Sequence, residues 1–102
     1  MKRVLIATTL AALAFSNAAQ ADQKLAGAKN CLACHSVATQ VVGPAFKDVA
    51  KKYAGDKAAA DTLAAKVRAG GGGVWGAIPM PAKPQVSEEE SKKLVAWILS
   101  LK

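Results

Sequence analysis

Cys31-Leu32-Ala33-Cys34-His35 is the stretch from which the rest of this chain is read. Two thiols stand three positions apart, and an imidazole follows the second. Residues three and four apart share one face of a helical turn. Both sulfurs can therefore reach one edge of a porphyrin and form thioethers to its two vinyl groups. The histidine is then carried under the ring, where a neutral imidazole nitrogen can bind iron. This is the spacing of covalent c-type haem attachment. A thioredoxin-like thiol pair would need a βαβ setting, and no segment of the chain alternates like a strand. A structural zinc site would need four ligands, and no convincing fourth accompanies Cys31, Cys34 and His35.

Working outward toward the N-terminus, Lys2-Arg3 is a basic start, Val4 to Phe15 an apolar run and Ala19-Gln20-Ala21 a small-x-small site. These are the marks of a secretory signal peptide over residues 1–21, cut after Ala21. A spanning helix needs ~20 apolar residues, and this run is shorter, so no stable membrane insertion is expected. Lys2-Arg3 is not a twin arginine, which points to export of an unfolded chain with its cofactor added afterwards. The location implied is the periplasm.

The whole chain of 102 residues carries 14 Lys and Arg against 7 Asp and Glu, a formal net charge of +7. Without Lys2 and Arg3, residues 22–102 carry 12 basic against 7 acidic side chains, or +5. One domain of this size buries a modest share of its surface and usually needs a staple. Its two cysteines could close only a four-residue ring, which removes little entropy from the unfolded chain. A covalent apolar cofactor would supply what the short chain lacks.

The rest reads as all-α. Asp22 is placed to cap a first helix through Leu25, Ala26 and Ala28. Ser36 to Gly43 is loop. Pro44 opens a second helix with Phe46, Val49, Ala50 and Tyr53 as its apolar face, and Lys47, Lys51 and Lys52 outside. Asp56 is placed to cap a third, Lys57 to Ala69, whose Leu63, Ala64 and Val67 form a narrow stripe. Gly70 to Gly73 ends it and reads as a flexible connector. Ser87-Glu88-Glu89-Glu90 is a capping box that opens the last helix. Leu94, Trp97, Ile98 and Leu101 then recur at i, i+3, i+4 and i+7.

Between the last two helices lies Val74-Trp75-Gly76-Ala77-Ile78-Pro79-Met80-Pro81-Ala82-Lys83-Pro84. Three prolines keep it out of helix and central strand. Pro79 and Pro81 stiffen the backbone on both sides of Met80, the sole methionine after the initiator. A thioether on a rigid loop suits an iron ligand, and histidine–methionine haem has a raised reduction potential suited to electron transfer. The bland reading is a methionine filling a gap in the core.

With these segments in order, and with Val42-Gly43-Pro44-Ala45, Gly73-Val74-Trp75-Gly76 and Trp97-Ile98-Leu99-Ser100 at near-matching spacing, the chain resembles a small class I cytochrome c. The resemblance is to the bacterial periplasmic cytochrome c-551 group and spans Asp22 to Lys102. It implies about four helices packed round one covalently bound haem c, with the first and last helices crossing. It implies Cys31 and Cys34 as the attachment points, and His35 and Met80 as axial iron ligands. The Pro44 carbonyl would accept from the His35 imidazole N–H, and Trp75 and Lys66 would meet haem propionates. Lysine at 66 stands where the group often has arginine, and lacks its planar fork. Lys83 stands where an asparagine amide commonly contacts the methionine sulfur. The function implied is single-electron transfer between periplasmic redox proteins such as a haem nitrite reductase, a terminal oxidase or a quinol-oxidising complex, by a monomer that is not an enzyme.

Two other readings stand beside it. Cys31, Cys34, His35 and Met80 form a soft ligand set that could hold Cu(I), as in a periplasmic copper-handling protein. A haem peroxidase or gas sensor would need an open iron position, which Met80 would fill. Nucleic acid is excluded by the export signal and by the lack of basic runs interleaved with aromatics. Lys29, Lys47, Lys51 and Lys83 are candidates for a rim that steers acidic partners. Leu32, Val41, Ala77, Ile78, Pro79 and Pro81 are candidates for an apolar patch round a haem edge.

Overall fold

The computed structural model describes residues 20–102. The expected leader therefore lies, but for its last two residues, outside the described residues. Among those described, no helix is long and apolar enough to cross a membrane. The architecture is all-α: α1 (residues 20–28), a single 3-10 turn (Cys31–Ala33), α2 (Phe46–Lys52), α3 (Ala59–Ala69) and α4 (Glu88–Ser100).

Asp22 does not cap α1, because the helix is already formed at residue 20. Its carboxylate instead faces Lys93 of α4 at 3.9 Å. The helix stops at Asn30, whose φ of 65° is left-handed, a conformation that asparagine tolerates better than most residues. That reversal turns the chain directly into the Cys31 turn.

Helix α2 ends at Lys52, short of Tyr53. Helix α3 begins two residues later than the sequence pattern suggested. The Asp56 carboxylate accepts from the Ala58 N–H at 2.9 Å, and this local turn uses the residues that would have formed the first helical positions. At α4 the capping box is complete. Glu90 N–H donates to Ser87 Oγ at 3.1 Å, and Ser87 N–H donates to Glu90 Oε1 at 3.0 Å.

Helix α4 is the centre of packing, with α2 and α3 laid against it. Its Leu94, Trp97 and Ile98 join Ala26, Phe46 and Val86 in one core, and Leu25, Val37, Val49, Val67 and Leu101 close over that core. Burial of each large side chain here stabilises the fold by ~1.5–3 kcal/mol. Val95 and Ser91 are buried as well. The Ser91 hydroxyl donates to the Glu88 carbonyl at 2.8 Å, so no orphan polar group results. Helix α1 is fastened to α4 by Lys29, whose ammonium meets Glu90 at 3.2 Å and donates to the Gln85 carbonyl at 3.1 Å. Lys29 is thereby engaged in the fold and does not stand as a free rim lysine.

Candidate functional site

Two segments carry the chemistry. The first runs from Cys31 to Ala45. Cys31 and Cys34 are free thiols, each half-buried, on and just after the 3-10 turn. Burial pushes the Cys31 thiol pKa up, while the nearby Lys83 ammonium and the residue's own backbone N–H pull the other way. The Cys31 carbonyl accepts from the His35 N–H at 3.0 Å, and the Cys34 carbonyl accepts from the N–H groups of Val42 and Gly43 at 3.2 and 2.7 Å. The loop after the motif is thus folded back onto it. Phe46 and Lys47 N–H groups then donate to the Ser36 and Val37 carbonyls, joining the loop to the start of α2.

His35 is held on several sides. Its Nδ1 lies 2.7 Å from the Pro44 carbonyl. Because a carbonyl only accepts, Nδ1 carries the proton in this pair, and in the neutral ring Nε2 then holds the free lone pair. Phe46 stacks on the ring with centroids 5.0 Å apart and an interplanar angle of 24°. Gly43 lies so close that a Cβ there would fall 2.5 Å from Cε1. Gly43 and Phe46 therefore shape the histidine site. The sequence pattern places Phe46 only on the apolar face of α2 and Gly43 only at the end of a loop, so neither contact with His35 is legible in it.

The second segment runs from Gly70 to Lys83. Gly70–Gly73 is not a slack connector. Gly71 N–H donates to the Met80 carbonyl at 3.0 Å, and Met80 N–H donates to the Gly71 carbonyl at 2.7 Å. Gly70 N–H donates to Lys66 at the end of α3, and Lys83 N–H donates to the Arg68 carbonyl. Met80 is half-buried on this anchored segment. The Lys66 side chain passes over Gly71, where a Cβ would meet its Nζ at 3.2 Å. Trp75 is 44% exposed, with the Lys52 ammonium 5.4 Å from its ring centroid. That pairing is within cation–π range, and nothing in the sequence placed Lys52 beside Trp75.

The large apolar side chains exposed among the described residues are Leu32, Val41, Val42, Val74, Trp75 and Ile78. All six belong to these two segments and none to an α-helix. Such surface calls for a cover, and a porphyrin is a large apolar plane with soft and imidazole donors already in the same segments. The residues fit haem. Among the described residues no three His, Cys, Asp or Glu side chains converge on one point. The copper reading is not favoured.

With no strand among the described residues, two thiols and an imidazole on one turn, a thioether on a clasped loop and uncovered apolar side chains in both segments make this a helical protein built to hold haem. The family model described as Cytochrome c matches residues 19–102. Cytochrome c-552 of Nitrosomonas europaea is 54% identical over 91 residues, covering 89% of this chain and 88% of that protein. Its crystal structure aligns with a TM-score of 0.77 over 78% of this chain and 99% of that one. Cytochrome c-551 of Stutzerimonas stutzeri is 53% identical over 105 residues, with both chains covered in full. The class 1 cytochrome MtoD of Sideroxydans lithotrophicus ES-1 aligns with a TM-score of 0.66 at 35% identity, over 80% of this chain and 94% of that one. The chain belongs to the cytochrome c family, as a small class I member with one covalently bound haem c. Its relatives are electron-transfer proteins.

Proposed function

We propose that this chain is a periplasmic one-electron carrier whose haem is six-coordinate. Cys31 and Cys34 would hold the haem through thioethers, and His35 Nε2 and the Met80 sulfur would ligate its iron. The haem supplies an iron that gains and loses a single electron. The chain's own residues do the rest. The Pro44 carbonyl fixes the tautomer of His35 and raises its donor strength. Phe46 and Gly43 fix the tilt of its ring. The thioether favours the reduced iron and raises the potential. Lys66 and Trp75 are the groups proposed to meet the propionates, with Lys52 over the Trp75 ring.

The observation that carries this reading is the 2.7 Å pair between His35 Nδ1 and Pro44 O immediately after the Cys-x-x-Cys turn. It leaves one nitrogen for iron, on a ring braced by Pro44, Phe46 and Gly43. With His35 and Met80 both given to the iron, no open position would remain for a substrate, and the chemistry supplied would be electron transfer. Redox encounters use small interfaces, and Leu32, Val41, Val42 and Ile78 provide an apolar patch of that kind. The partners proposed are periplasmic reductases, oxidases or a quinol-oxidising complex.

The test is Met80→Ala in the holoprotein. Haem should stay attached, the potential should fall and carbon monoxide should bind the reduced iron. An unchanged potential together with unchanged ligand reactivity would remove Met80 from the iron. A visible spectrum of a denatured sample checks attachment, since only a covalent haem stays with the chain.

A further inference from the structure

We infer that Gly70 and Gly71 are positioning residues for Met80, and that they set how readily the sulfur leaves the iron. The inference rests on the proposed Met80 ligation and deepens it. Met80 has both of its main-chain polar groups engaged by one residue. Its N–H and its carbonyl pair with the carbonyl and N–H of Gly71, at 2.7 and 3.0 Å. This pair is an isolated antiparallel bridge with no sheet on either side. It therefore has no neighbouring strand to support it, and its geometry depends on how closely the two backbones can approach.

Gly70 makes that approach possible. Its φ is 74°, in the left-handed region that glycine enters without cost. A Cβ at this position would lie 2.6 Å from the Met80 carbonyl oxygen and 2.7 Å from the Ala82 nitrogen. Both obstacles are backbone, so neither can swing aside as a side chain would. Gly72 extends the close approach, with a Cβ falling 3.2 Å from Pro79 Cα. The loop 73–78 is thereby pinched at its base. Gly73 is the contrast. Its φ is 91°, equally left-handed, yet a Cβ there meets nothing within 4 Å.

That contrast separates backbone strain from collision with the ligand strand. In the holoprotein, Gly70→Ala should speed cyanide binding to the oxidised iron at least tenfold and lower the potential. Gly73→Ala should change the binding rate by less than twofold. Equal effects of the two substitutions would overturn the inference, since strain alone would then suffice, and so would a wild-type rate in Gly70→Ala. Met80→Ala, measured in parallel, keeps the two levels apart. If it leaves the iron closed, the ligation itself fails. If it opens the iron while Gly70→Ala does not, only the positioning role fails. Should Gly70→Ala not mature, amide exchange in the wild-type holoprotein decides. The Met80 and Gly71 amides should exchange at least a hundredfold more slowly than those of residues 73–78. Equal rates would show that the pair is not a lasting clasp.

Discussion

Replacing Phe46 by leucine tests whether the core and the histidine site are one structure. Phe46 is 3% exposed. Its ring stacks on His35 at 5.0 Å, and meets the edge of Trp97 at 5.7 Å with an interplanar angle of 76°. Leucine keeps most of the apolar volume and removes both ring contacts. Each aromatic pair is worth ~0.5–1.5 kcal/mol beyond its buried area, so the two together contribute about 1–3 kcal/mol. Repacking around a differently shaped side chain costs less than ~1.5 kcal/mol more. Urea unfolding of the holoprotein, with a slope of ~1–3 kcal/mol per molar, should then show a midpoint lower by about 1 M.

The same substitution should loosen the imidazole, because Phe46 covers one part of the ring whose Nδ1 is held by Pro44. Its signature is a change in the haem spectrum or potential that Val49→Ala, elsewhere on α2, does not produce. A double-mutant cycle with Trp97→Leu should give a coupling of ~0.5 kcal/mol or more, as expected of residues in contact. If Phe46→Leu shifted stability by less than ~0.5 kcal/mol, the range of an ordinary surface change, the aromatic cluster would not be a support. If stability fell and the haem signals stayed fixed, Phe46 would support the core and not the histidine.

Four further outcomes are expected. Ser87→Ala should cost ~1 kcal/mol by removing the cap of α4, read as a lower urea midpoint at neutral pH. The Ser87 backbone N–H and the Lys29 ammonium hold the Glu90 pKa below the usual glutamate value; its contribution is complete above that usual value and is lost as pH falls through the lowered one. Glu90→Gln should accordingly flatten that part of an acid-unfolding curve, and an unchanged curve would count against the pairing. Lys52→Ala should speed amide exchange in residues 73–78 and cost no more than ~1 kcal/mol, while Lys52→Arg, which also stacks on aromatic faces, should restore protection. Ile78→Glu should slow electron transfer to a partner without altering the haem spectrum, and unchanged rates would remove Ile78 from the docking patch.

What could be read in the sequence was what local chemistry encodes. The capping box at Ser87 and the apolar spacing from Leu94 to Ile98 each lie within a few residues, so α4 was legible almost to its ends. The Cys31–His35 turn was legible for the same reason. Helix starts were not, where a side chain had a second use. Asp56 bonds Ala58 and delays α3, while Asp22 faces Lys93 and caps nothing. The glycine run was misread for a different reason. Glycine records only freedom of the backbone, and four in succession read as slack. The partner that removes the slack is Met80, nine positions beyond Gly71, and no local pattern names it. Lys52 over Trp75 is likewise a contact between distant segments.

On the proposed ligation, the two sides of the iron are built on different terms. His35 follows the two anchoring cysteines and is held through its side chain by the Pro44 carbonyl, the Phe46 ring and the backbone of Gly43. Movement of that imidazole requires disturbing α2 and the core behind it. Met80 is held through its main chain, by one paired residue and the room that Gly70 leaves. Two hydrogen bonds of ~0.5–1.5 kcal/mol each support it, against a buried aromatic cluster on the other side. Opening free energy is lowest where buried apolar contacts are fewest. Ligand exchange must therefore begin at the sulfur, and the histidine should remain bound when it does. The thioethers proposed at Cys31 and Cys34 would hold the haem in place throughout, so an opened site should close again without loss of cofactor.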